Sequence, residues 1–370
     1  MRKNGKKASR VLALVLALLL IATLVACGNG GTQDTPDPAP PDDANDNGDT
    51  ADVTEDDPAP PDDVDDDRVF TIATVVKLTG VSWFDRMEEG VIRFAQETGQ
   101  DAFQTGHITA DPAEQVRIIE DLIAQGVDAI CVVPNSTPAL EAVLGRAMDA
   151  GIVVISHEAT DIVNAHFNIE AFTNQAYGEQ FGRALADLMG GEGQYTTFVG
   201  SLTATSHNEW VDGSNEYLAA NYPDMELVAN KNESAEDATV AYNRTLELML
   251  AYPDLVGFQG SASTDVAGVG RAIEEAGREE TTFVVGTSLV SVAGQFLESG
   301  AVDMIGFWDP AEAGFAMNEL ALRVLRGEEI YDGMSLSATG YGNLTLVDDM
   351  FLFGSAWVFV TRENMHEFDF

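Results

Sequence analysis

The stretch that decides the fold is DPAEQVRIIEDLIAQGVDAICVVPNSTPALEAVLGRAMDAGIVVIS, residues 111–156. Asp111 is placed to cap a helix, Pro112 fits its first turn, Glu114 stands three residues after the cap, and Gly126 closes it. Asp128–Val133 then reads as a buried strand. Thr137–Ala150, opened by Pro138 and closed by Gly151, reads as a second helix, and Ile152–Ser156 as another apolar strand. Strands that are apolar throughout, separated by helices, belong to a parallel sheet covered on both faces.

Working outward, the same alternation continues. Val69–Val76 is β-rich, Trp83–Thr98 carries Met87, Val91, Phe94 and Ala95 at helical spacing, and Ala102–Gln104 is a short strand candidate. Beyond 156, helices are expected over Thr173–Met189, His207–Asn221, Ser234–Ala251, Val266–Ala276, Val290–Ser299 and Ala311–Arg326. Strands are expected over Tyr195–Val199, Met225–Ala229, Leu255–Gln259, Thr282–Val285 and Val302–Phe307, and Tyr331–Phe370 is mostly extended and turn-like. Two sets of about five β/α units exceed one compact layer, so the fold class is α/β with two doubly wound, Rossmann-like lobes and a ligand cleft between them.

The N-terminal part is of another kind. Arg2, Lys3, Lys6, Lys7 and Arg10 precede an apolar run from Val11 to Val25 that ends at Ala26-Cys27-Gly28. This is a cationic n-region and an h-region short for a bilayer span, and Leu24-Val25-Ala26-Cys27 resembles the lipobox of bacterial lipoproteins, in which the cysteine is diacylated. Residues 1–27 are therefore expected to be a lipoprotein signal peptide with Cys27 the lipid anchor, two acyl chains being enough for stable attachment. Residues 28–67 hold 15 acidic residues, seven prolines and two copies of Pro-Ala-Pro-Pro-Asp-Asp, with no aromatic or basic residue. Such a segment has nothing to bury and its charges repel, so it is expected to be a disordered tether. An extracytoplasmic protein held on the cell membrane follows.

Composition closes several routes. The 370 residues carry 19 Lys+Arg against 61 Asp+Glu, a formal charge of −42, and residues 68–370 alone stand at −32. That surface repels phosphates, so no nucleic-acid partner is expected. Cys27 and Cys131 are the two cysteines, so neither a disulfide scaffold nor a cysteine zinc site fits; Cys131, in an apolar run, reads as a small buried hydrophobe. No metal and no cofactor is expected. Nor is an enzyme: no Gly-x-Ser-x-Gly, phosphate-binding Gly-x-x-x-x-Gly-Lys-Ser/Thr or dinucleotide Gly-x-Gly-x-x-Gly follows the first strand.

Ligands of open α/β sheets bind outside the carboxyl ends of the strands. The residues found there are Lys77 with Trp83 and Phe84, Asn135, His157 with Glu158, then His207, Asn208 and Trp210, Ser263 with Asp265, and Trp308 with Asp309. Flat rings beside amide, carboxylate, ammonium and imidazole groups suit a small polyol, whose C–H faces stack and whose hydroxyls need paired partners. These thirteen are the candidate ligand-binding residues.

The lipobox, acidic tether and doubled β/α pattern together resemble the ribose-binding-like type I periplasmic solute-binding lipoproteins of bacterial ABC importers. Lys77–Phe84, Gly306-Phe-Trp-Asp-Pro310 and the closing segment from Val358 are similar to the rhamnose and autoinducer-2 binding subgroup. The resemblance implies three crossing strands between lobes, a sugar-like ligand held by closure, delivery to a membrane permease, and a monomer. It places the subgroup's ligand lysine on Lys77, its aromatic pair on Trp83 and Phe84, and its tryptophan on Trp308. The autoinducer-2 receptors' acid falls near Pro138, their Asp-Gln near Glu170 and Ala171, and their Pro and Ala near Ser261 and Ser263. These departures leave rhamnose, ribose or another monosaccharide. A nucleoside ligand, or a sensor that presents its closed form to a signalling receptor, are the other readings. The expected N-terminal lobe is 68–162 with 309–335, and the C-terminal lobe 163–308 with 336–370.

Overall fold

The computed structural model describes residues 68–370. The signal peptide with Cys27 and the acidic tether lie outside the described residues.

The chain runs β1 (Thr71–Val75), α1 (Ser82–Thr98), β2 (Asp101–Thr105), α2 (Pro112–Gln125), β3 (Ala129–Val132), α3 (Thr137–Asp149), β4 (Val153–Ser156) and β5 (Phe167–Glu170). It continues through α4 (Asn174–Met189), β6 (Glu192–Val199), α5 (Thr205–Asn221), β7 (Asp224–Glu233), α6 (Ala238–Ala251), β8 (Leu255–Gly260), α7 (Asp265–Ala276), β9 (Phe283–Thr287), α8 (Val290–Ser299) and β10 (Met304–Phe307). It ends with α9 (Pro310–Leu325), β11 (Thr345–Val347), β12 (Phe351–Phe353) and β13 (Val358–Val360). The caps read from the sequence are made: the Asp111 carboxylate accepts from the Ala113 N–H, and Gly126 adopts the left-handed conformation that ends α2.

Two sheets form, in the orders β11-β12-β5-β4-β3-β1-β2 and β13-β10-β9-β8-β6-β7. Their parallel cores, β2-β1-β3-β4-β5 and β7-β6-β8-β9-β10, share one order, so each lobe is a doubly wound sheet with a switch point, beside β1 in the first and β6 in the second. Strands β3 and β4 are buried along their whole length, as sheets covered by helices on both faces require. Cys131 lies in β3, fully buried, and burial pushes its thiol pKa up, which fits a packing role.

Lobe membership departs from expectation. Strand β5, not foreseen, pairs in parallel with β4, so the first lobe runs past 162. Strands β11 and β12 join that same sheet through β5, and of the closing segment β13 pairs with β10 in the second. The expected boundary at 162/163 therefore moves beyond Glu170, and the assignment of all of 336–370 to the C-terminal lobe is corrected. The chain crosses between sheets three times, from β5 into α4, from β10 into α9, and from β12 into β13.

Glycines set the closest helix contacts. A Cβ at Gly90 of α1 would stand 1.9 Å from the Ala311 carbonyl oxygen of α9, and one at Gly178 of α4 would stand 1.9 Å from that of Trp210 in α5. Each lobe thus packs a helix pair at a separation that only a missing side chain allows.

Candidate functional site

Lys77 follows β1 at the switch point of the first sheet, and His207 sits in the first turn of α5, which follows β6 at the switch point of the second. The two meet, with Lys77 Nζ 3.3 Å from His207 Nε2. Glu158, just after β4, bonds the same ammonium at 2.6 Å, and Glu236, in the loop after β7, lies 3.7 Å from it. Side-chain exposure is 2% for Lys77, 3% for Glu158 and 9% for Glu236, so these charges are sealed from water. Glu158 and Glu236 both hold left-handed backbone, with φ of 57°, a conformation that costs a residue with a Cβ about 1–3 kcal/mol and is kept where surroundings enforce it.

Burial pulls the Lys77 pKa down, and the carboxylates of Glu158 and Glu236 more than reverse it, so the amine stays charged. Burial holds the Glu236 carboxyl above its usual range, with Lys77 opposing. Burial and then the charge of Lys77 push His207 well below the usual imidazole value, so it is neutral. Its Nδ1 accepts from the Gly200 N–H at 3.1 Å, which assigns the proton to Nε2. Two donors, Nε2–H and the ammonium, therefore face each other across the lobes.

The wall is aromatic. Trp83 packs edge-on against Trp308 with ring centres 4.7 Å apart, and Trp210, Phe172 and Tyr177 surround Trp308 at 5.6, 5.2 and 6.1 Å. His157 positions that tryptophan: its Nδ1–H donates to the Ile169 carbonyl, and its Nε2 accepts from the Trp308 indole N–H at 3.2 Å. Burial keeps this imidazole neutral, as that pattern needs.

Lys77, Trp83, Phe84, Glu158, His207, Trp210, Ser263 and Trp308 line one narrow space. Five candidates do not line it. His157 has both ring nitrogens engaged. Asn135 donates its backbone N–H to Gln115 Oε1 and lines an outer groove instead. The Asn208 amide bonds the Ser201 and Ala204 carbonyls at the start of α5. Asp309 caps α9 and takes both ends of the Arg86 guanidinium at 2.9 and 2.7 Å. Asp265 is fully buried, accepts from the Ser261 and Ala262 N–H groups, and holds the loop that carries Ser263; burial pushes its carboxyl up to about 7.

Glu236, Ser261 and Thr287 line the space without having been named as candidates. Glu236 was legible in one respect. It follows a strand end, but β7 runs four residues past the expected Ala229 and α6 starts at Ala238, so the loop that carries Glu236 replaces the start of the expected helix Ser234–Ala251.

Residues 72–329 match the periplasmic binding protein domain family. The D-ribose/D-allose-binding protein of Pseudomonas aeruginosa is 24% identical over 273 residues, 70% of this chain and 82% of that protein. LsrB from Clostridium saccharobutylicum, solved in complex with AI-2, superposes with a TM-score of 0.75 at 21% identity, covering 81% of this chain and all of that one. A carbohydrate transporter solute-binding protein from Agrobacterium radiobacter, solved with D-arabinose, gives 0.71 at 23% identity over 80% and 96% of the two chains. These two likenesses are of fold. The match over most of the folded chain makes this protein a member of the periplasmic binding protein domain family, with the type I arrangement.

Proposed function

We propose that the protein captures a monosaccharide-like ligand between its lobes and presents the closed form to an ABC import permease, tethered outside the cytoplasm by a lipidated Cys27. The observation that carries this reading is convergence. Lys77, Glu158, Trp83 and Phe84 from one lobe meet His207, Glu236, Ser261 and Ser263 from the other around a single space. A ligand touching both lobes favours closure through the contacts that only the closed form supplies. Among the described residues no helix is long and apolar enough to cross a membrane.

Thermal denaturation against a panel of monosaccharides and polyols tests the reading. A ligand at 100 times its Kd adds about 2.7 kcal/mol of stability. A panel without any stabilising compound would count against it, and a Cys27→Ser protein that stays on membranes would remove the anchor.

A further inference from the structure

The charges enclosed in the cleft do not balance. Among the described residues lining the space, Lys77 is the one cation, and it faces two carboxylates. Glu158 takes the short contact at 2.6 Å; Glu236 is left at 3.7 Å, and its Oε1 makes no hydrogen bond although it is buried. A buried carboxylate oxygen without a hydrogen-bonding partner is costly, because it has lost water and keeps only the longer ion-pair contact to Lys77. Its position is nonetheless enforced. Ala235 and Glu236 are consecutive residues in left-handed backbone, with φ of 55° and 57°. Gly200 leaves room for the carboxylate, since a Cβ there would lie 2.8 Å from Glu236 Oε1. Strain held in place at an unsatisfied group points to a ligand that completes it.

Two further features limit what that ligand is. The space is walled by Trp83, Phe84, Trp210 and Trp308, aromatic rings of the kind that attract a cation placed over their faces. The facing donors of Lys77 and His207, 3.3 Å apart, call for an acceptor oxygen between them. We infer that Glu236 is a specificity-determining residue that selects an amino sugar, a monosaccharide whose ammonium group pairs with Glu236 while a hydroxyl or ring oxygen accepts from Lys77 and His207. The inference rests on the sugar-binding reading above and narrows it.

Isothermal titration of the full folded protein near pH 7, where an amine is mostly charged, tests it with matched probes. These are D-glucose, D-galactose and D-mannose, their 2-amino counterparts, and the N-acetylated forms, which keep the nitrogen but lose its charge. At least one amino sugar is expected to bind tenfold or more tighter than both of its partners. Glu236→Gln, close in shape, should abolish that preference. Gly200→Ala should weaken it by displacing the carboxylate while leaving every charge in place, with circular dichroism melts confirming that both variants fold. Neutral sugars binding as tightly as the amino sugars would overturn the inference and leave the sugar-binding reading standing. Silence from all three sets and from the wider monosaccharide panel would overturn both.

Discussion

The indole N–H of Trp308, at the crossing from β10 into α9, donates to Nε2 of His157, just after β4, over 3.2 Å. The bond joins the end of a second-lobe strand to a first-lobe loop and sets the ring against which Trp83 packs. His157 thereby acts on the site without touching the space. Trp308→Phe should leave Nε2 buried and unpaired, costing about 1–3 kcal/mol in urea denaturation. Ligand affinity should fall with it, because the ring no longer has a fixed angle.

Lys77→Met leaves Glu158 and Glu236 enclosed without a cation. Removing one member of a buried ion pair costs about 3–5 kcal/mol, so the denaturation midpoint should drop sharply. Adding Glu158→Gln to the same protein should recover much of that loss. Calorimetry should still find no ligand binding in the double variant, which separates the stability role of the pair from its binding role.

Acid–base behaviour offers a third check. Burial pushes the Glu170 carboxyl from 4.5 up to about 8, against a hydrogen bond from the Ala159 N–H. The folded state then holds the proton more tightly than the unfolded state does. Stability is unaffected by this group below its ordinary value and declines as pH rises from there through about 8. Glu170→Gln keeps an acceptor for Ala159 and removes the titration. The variant should match the parent near pH 4 and exceed it near pH 9 by an amount on the order of a few kcal/mol, read from urea midpoints.

Gly178→Ala would bring a methyl to 1.9 Å from the Trp210 carbonyl oxygen, a backbone atom that cannot swing aside. Overpacking costs about 1–3 kcal/mol, and here α5 must shift, taking the Trp210 ring with it, so affinity should fall as well. Gly145→Ala is the contrast. Its methyl would meet the Asn164 side chain at 3.3 Å, and alanine favours a helix over glycine by up to about 1 kcal/mol, so melting should be unchanged or slightly raised.

The alternation of strands and helices was legible because punctuation is local: Asp111, Pro112 and Gly126 bound α2 through contacts within a few residues. Strand β5 was not. It is four residues long, and what makes it part of the first sheet is pairing with β4 on one side and β12, 183 positions away, on the other. Site residues divide in the same way. Lys77, Trp83 and Glu158 follow from the rule that ligands lie beyond strand ends, and they line the space. The rule also nominates Asp309 and Asn208, whose side chains are spent on Arg86 and on neighbouring carbonyls. Which polar groups remain free depends on partners distant in sequence, and Glu236 could not be told from the other acids until its neighbours were known.

The three crossings carry a consequence for biogenesis. Helix α9 and strands β11 and β12, which finish the first sheet and its cover, are supplied after the whole second sheet except β13 has been made. An N-terminal fragment ending before Pro310 would thus present an unfinished sheet with a bare apolar face, prone to self-association. Productive folding has to wait until nearly all of the polypeptide has emerged, and loss of the last few dozen residues would damage both halves at once.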